Sequence, residues 1–189
     1  MQSNWRWATA AVLAVASGGA AADSLDLSLN DKALRGIYAF SPAGKRGLEV
    51  EAGHYYTEHT AENTTVTHAG LQVSGENWSQ QGVFDIGLGA RAIYARSGSW
   101  DETSLAFGGH VRFSPIQRLG ITGILFYGPE VTTSGDGNNY LETEAKVDYQ
   151  LLPQAFVYAG YRVIQVDVDG ADDDAKLDDR VHIGMKLMF

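Results

Sequence analysis

The side chains able to do chemistry fall into four groups. The densest is acidic: Asp167, Asp169, Asp172, Asp173 and Asp174, followed by Asp178 and Asp179. Clustered carboxylates suit a hard cation such as Ca²⁺, which collects roughly six to eight oxygen ligands. Gly170 comes too early for a calcium-binding helix-loop-helix, and no glutamate stands at its closing position. A solvated acidic loop facing outward is the expected reading, with divalent cations bridging it to lipid phosphates as the alternative. The second group, His54, Glu58, His59 and His68, has metal-ligand types. Strand spacing separates them, however, so no metal site is expected. The third, Gly87-Leu88-Gly89-Ala90-Arg91-Ala92, matches the glycine pattern of a dinucleotide loop. Such a loop must open a helix in a parallel sheet, whereas this segment continues a strand pattern, so no cofactor is assigned. The fourth, Ser97, Ser99, Asp101 and Glu102 with His59, supplies nucleophile, acid and base types. Short loops give them little scaffold, so no catalytic residue is assigned and the chain is expected not to be an enzyme. A rim-located membrane enzyme stays as an alternative.

The elements that must position these groups are strands. The last ten residues, Arg180 to Phe189, place Val181, Ile183, Met185, Leu187 and Phe189 on one face and Arg180, His182, Gly184 and Lys186 on the other. Similar alternation runs through 47–56, 64–74, 83–95, 104–113, 140–151 and 154–163. The segment 119–127 is more uniformly apolar and its facing is open. Two shorter stretches precede them. Leu25, Leu27 and Leu29 alternate with Asp26, Ser28 and Asn30; Leu34, Gly36, Tyr38 and Phe40 lie opposite Arg35. Eight full-length strands are expected, plus a short N-terminal hairpin that makes ten if it joins the wall. The fold class is all-β, an antiparallel transmembrane barrel. A soluble periplasmic ligand-binding barrel is the competing architecture.

Composition agrees with strands. The 189 residues hold 22 glycines, 4 prolines and no cysteine. An exported fold without disulfides must close itself otherwise, and a barrel does so by pairing every strand edge. Residues 1–22 read as a cleaved secretory signal, with Arg6, an apolar run from Ala8 to Ala16, and Ala20-Ala21-Ala22 before Asp23. Residues 23–189 then form one domain. The formal charge of −9, with no basic patch, argues against nucleic acid as a partner. Ser114-Pro115-Ile116 and Leu152-Pro153 read as tight turns on one rim, and 96–101, 129–139 and 167–176 as longer polar loops on the other. Trp78 is expected at the membrane interface near the short turns. Tyr55, Tyr56, Trp100, Tyr127 and Tyr140 are expected as an aromatic girdle at the opposite rim.

Several of these segments together resemble the YfaZ family of small Gram-negative outer-membrane proteins. They are Phe113-Ser114-Pro115 through Phe126-Tyr127, the Tyr149-to-Pro153 turn, Ala159-Gly160-Tyr161-Arg162, the glycine-rich strand from Val83 to Tyr94 with its interior Arg91, and the terminal Phe189. The resemblance implies an outer-membrane barrel and supplies no catalytic residues. Its surroundings would be outer-membrane lipid and lipopolysaccharide, and Phe189 resembles the signal read by the barrel-insertion machinery. Oligomeric state is left open.

The inward-facing set then contains Glu49, Glu51, Asp85, Glu142, Glu144 and Asp148 against Arg91, Arg112, Arg162, Lys146 and Lys186, with His68, His110 and His182. Near balance of sign argues against a selective pore lining and for pairing across a narrow lumen. The expectation is a structural or interaction protein with a closed lumen. A small pore is the alternative.

Overall fold

Period-two sequence becomes strand along nearly the whole chain. The computed structural model describes residues 23–42, 47–59, 62–98, 100–168 and 175–189. The expected signal at 1–22 and the acids Asp169 to Asp174 lie outside the described residues. Eleven strands follow one another: β1 (Asp23–Leu29), β2 (Ala33–Phe40), β3 (Leu48–His59), β4 (Glu62–Ser79), β5 (Gly82–Ser97), β6 (Trp100–Ile116), β7 (Leu119–Gly128), β8 (Thr133–Gly135), β9 (Gly137–Leu152), β10 (Ala155–Val168) and β11 (Ala175–Met188). Ten of them close an antiparallel barrel, running β5-β4-β3-β2-β1-β11-β10-β9-β7-β6 and back to β5.

The N-terminal hairpin therefore belongs to the wall. Its first strand pairs with the last, from Ser24 opposite Met188 to Leu29 opposite Ile183. Asp23 and Phe189 exchange both backbone hydrogen bonds, at 3.0 and 2.9 Å. Without β1 the apolar edge of β11 would carry a row of unpaired N–H and C=O groups. The turn signal at Asn30 is met by its own side chain, which accepts from the N–H groups of Lys32 and Ala33 at 2.9 and 2.7 Å.

The connections differ in part from expectation. One rim carries Asp23 and Phe189 with the turns at Gln80-Gln81, Gln117-Arg118 and Pro153-Gln154; it is called the terminal rim here, and the opposite one the far rim. On the far rim the expected loop at 96–101 is only the turn between Ser97 and Trp100, because main-chain pairing outweighs the polarity of Arg96 and Asp101. The expected loop at 129–139 is built instead from a 3₁₀ turn at Glu130–Thr132, then β8, then the start of β9. Strand β8 lies outside the closed wall and pairs with the far-rim end of β6, beyond the stretch that β7 covers. On the terminal rim the turn expected at Ser114-Pro115-Ile116 falls later, since β6 continues through an irregularity between Phe113 and Ile116. Arg118 there takes φ 77.

Alternation sorts the side chains as a barrel requires. Outside stand Leu71, Val73, Ile86, Leu88, Phe107, Val111, Leu125, Val147 and Ile183, all exposed. The open facing of β7 is resolved: Ile121, Leu125 and Tyr127 point out, and Thr122 and Phe126 point in. Three of the expected girdle aromatics are corrected. Tyr55 and Tyr140 are buried inside, and Trp100 packs on the interior cluster. Their phase decides this: Tyr55 shares the face of Glu51, and Tyr140 that of Glu142. Trp78 is exposed beside the terminal-rim turn as expected.

Candidate functional site

The polar residues that the strands aim inward meet at mid-lumen. β9 delivers Glu142, Glu144, Lys146 and Asp148 at alternate positions, so one strand lines the lumen with a ladder of charges. Arg35 on β2 reaches across and donates to Glu142 at 2.7 Å and to Glu144 at 3.1 Å. Arg91 on β5 donates to Glu51 on β3 through Nε and to Glu142 at 3.1 Å. Arg162 on β10 bonds Asp178 on β11 at 2.9 Å and Ser28 at 3.3 Å, and lies 4.0 Å from Glu144. Lys146 sits 3.2 Å from Glu144 and 3.7 Å from Asp26 on β1. These contacts form one connected network, with Glu144 as its hub. His182 approaches the hub at 3.5 Å, and His68 approaches Glu51 at 3.9 Å.

Aromatic side chains bracket the cations. The guanidinium of Arg91 stacks 3.6 Å over the ring of Phe126, that of Arg162 lies 5.0 Å from the Tyr55 ring, and Lys146 sits 4.5 Å over Tyr158. Tyr140 donates to Glu142 at 3.2 Å, and Tyr158 donates to Asp26. Arg162 is 0 % exposed, His182 1 % and Glu142 2 %. Isolated charges so deep would cost several kcal/mol each; mutual pairing offsets that cost.

Two layers flank the network. Toward the far rim, Tyr55, Val66, Ile93, Ala95, Ala106, Phe126, Tyr140, Ile164, Val166 and Leu177 form an apolar cluster. Toward the terminal rim the lumen is more open. There Arg112 makes a two-pronged bond to Asp148 at 3.1 and 2.6 Å, with its side chain 31 % exposed, and His110 approaches Asp85 at 3.4 Å.

The inward set read from the sequence is brought together in part. Glu51, Arg91, Glu142, Glu144, Lys146 and Arg162 join the network; Arg112 with Asp148, and Asp85 with His110, pair apart from it. Glu49 and Lys186 make no ion pair with another of the described residues. Sequence reasoning missed Arg35, Asp26 and Asp178 as members. The phase of Arg35 against Leu34 and Tyr38, and of Asp26 between Leu25 and Leu27, held the signal.

The acidic run is divided by its strand. Asp178 turns into the lumen as a partner of Arg162, which corrects the expectation of one outward acidic loop. Asp179 lies outside, where it accepts from Tyr161 and pairs with Lys176 at 3.7 Å. Asp167 accepts from Asn139 at 3.3 Å.

The other candidate groups are spread over both faces of the wall. His54 points outward and lies 2.9 Å from the Thr67 hydroxyl, whereas His68 points inward. The side chain of His59 and residue Ser99 lie outside the described residues. Thr64 donates to Ser97 at 2.7 Å; Asp101 faces out and Glu102 is buried inside. Among the described residues no three His, Asp or Glu side chains converge on a point that could hold a metal ion. The glycine pattern at 87–92 lies within β5, and the space a Cβ would need at Gly87 is taken by the His110 ring.

Comparison with curated proteins gave no match. A family model described as YfaZ precursor matches residues 2–189, nearly the whole chain and every strand of the barrel. The chain belongs to the YfaZ family.

Proposed function

We propose that the protein is a small outer-membrane barrel of structural or interaction type, without a catalytic role, whose lumen is closed to ions and small solutes. The observation that carries this reading is the inverted polarity of the wall. Leu88 on the outside of β5 is 71 % exposed, while Arg162 on the inside of β10 is wholly buried. A water-soluble barrel gains by turning leucines inward; a lipid-facing one gains by turning them out. The proposed surroundings are outer-membrane lipid and lipopolysaccharide, reached by export after removal of residues 1–22.

Separation of membranes on a sucrose gradient, followed by electrophoresis of heated and unheated samples, tests the location. The expected result is outer-membrane protein whose mobility is greater unheated than boiled. Recovery in the soluble fraction without a heat-dependent shift would overturn the reading. Phe189 is proposed as the contact with the insertion machinery. Phe189→Asp should lower the folded, heat-modifiable fraction while leaving translocation intact, and unchanged folded protein would remove that role. A small pore is the second reading, favoured by the more open lumen around Arg112 and Asp85.

A further inference from the structure

The outward apolar surface is not the same height all round the barrel. On β5 outward apolar positions run from Phe84 to Tyr94, and on β9 from Leu141 to Leu151 with Thr143 as the sole polar interruption. At ~3.3 Å per residue and a tilt of about 40°, these bands stand ~25 Å tall, the height expected of a lipid-facing belt. From β4, which pairs with β5, round to β1 the bands are shorter. They cover Ala69 to Val73 on β4, Leu48 to Ala52 on β3, Leu34 to Phe40 on β2 and Leu25 to Leu29 on β1. The same geometry gives ~15 Å on β2 and ~10 Å on the other three. Beyond Ala52 the next outward residue is His54, followed by Tyr56, and before Ala69 it is Thr67, preceded by Thr65 and Asn63; His54 and Thr67 are both exposed. They are cross-strand neighbours and bond to each other at 2.9 Å. At the other end of β4, Gly75 and Asn77 follow Val73 and are also exposed.

Resting on the outer-membrane reading above, we propose that the face formed by β1, β2, β3 and β4 meets a locally thinned lipid bilayer, so that the barrel holds a thinner boundary there than along the rest of its wall. A wall with a short apolar band can be accommodated by thinning the bilayer, by snorkelling or by association with another protein. Lipid is the occupant the surface favours. The band between the polar edges is low and carries small residues at Ala52 and Ala69, with Leu71 and Val73 as the exposed side chains larger than alanine within the band of β4 and Trp78 standing apart at the turn.

The chain has no cysteine, so single-cysteine labelling is clean. Two threonines make a matched pair: Thr67 at the edge of the short band and Thr143 inside the tall one. Thr67→Cys and Thr143→Cys would each carry an environment-sensitive fluorophore in folded, heat-modifiable protein in phosphatidylcholine vesicles. Aqueous iodide and brominated lipid serve as the two quenchers. The expected result is at least several-fold stronger iodide quenching at position 67 than at 143, with brominated lipid quenching position 143. Equal burial of both labels in hydrocarbon overturns the thinning while leaving the membrane reading intact. Strong iodide quenching at both positions overturns the membrane reading itself. A label at 67 shielded from both quenchers overturns lipid as the occupant and points to a second copy of the chain.

Discussion

Two of the layers in the lumen obey different physics. Toward the far rim, Ile164, Val166, Phe126 and their neighbours exclude water by apolar packing. At mid-lumen, Arg35, Arg91, Arg162 and Lys146 exclude it by mutual pairing with Glu51, Glu142, Glu144, Asp26 and Asp178. The apolar layer is non-directional, so each side chain contributes by its own volume and the loss of one methyl group is local. The charged layer is all-or-nothing. Glu142 and Glu144 each neutralise more than one cation, from other strands for the most part, so removing either leaves several short of a partner. Strands β1, β2, β3, β5, β9, β10 and β11 all feed it, and so it fixes their mutual register as well as filling space.

The comparison can be broken most forcefully at the hub. Glu144→Leu leaves Arg35, Lys146 and Arg162 short of a partner, with an expected loss of ~3–5 kcal/mol. Urea unfolding in lipid vesicles, followed by loss of the heat-modifiable band, measures it; a loss under about 1 kcal/mol would mean that the network does not act as a unit. Second in size is Leu88→Arg. An arginine is accommodated at Arg91, three residues along the same strand but on the inner face, whereas at Leu88 it would face lipid in the proposed membrane setting. A cost of about 2–4 kcal/mol is expected at mid-bilayer, and wild-type folding yield would contradict the facing of β5. Third comes the apolar layer. Ile164→Val should cost ~0.5–1.5 kcal/mol in the same unfolding assay, and a larger loss would show that this layer is as interdependent as the charged one. Smallest is Arg112→Ala. The Arg112–Asp148 pair is partly open to water, so a loss of about 1 kcal/mol or less is expected. A loss matching that of Glu144→Leu would erase the distinction between mid-lumen and terminal rim.

Much of this was readable before the fold. The alternation of β5 and β9 assigned Arg91, Glu142 and Glu144 to the interior, because a period of two leaves each residue only one face. The same rule applied to Tyr55 and Tyr140 places them inside; residue type pulled the expectation toward an aromatic girdle, and phase is the stronger signal. Arg35 and Asp26 were passed over because β1 and β2 are short, and a short strand gives few alternations from which to read a face. The partners themselves were not legible. The bond from Arg35 to Glu142 spans 107 positions and exists only after the barrel has closed with β1 against β11. Turn positions at Gln117-Arg118 and Ser97–Trp100 depended on local irregularities and pairing that composition does not report.

The closed lumen is the central claim, and single-channel recording of purified, heat-modifiable wild-type protein in planar lipid bilayers tests it most directly. With mid-lumen side chains paired and the far-rim layer packed, the account predicts a silent bilayer after verified insertion. Steady, reproducible conductance steps from the wild type would contradict it.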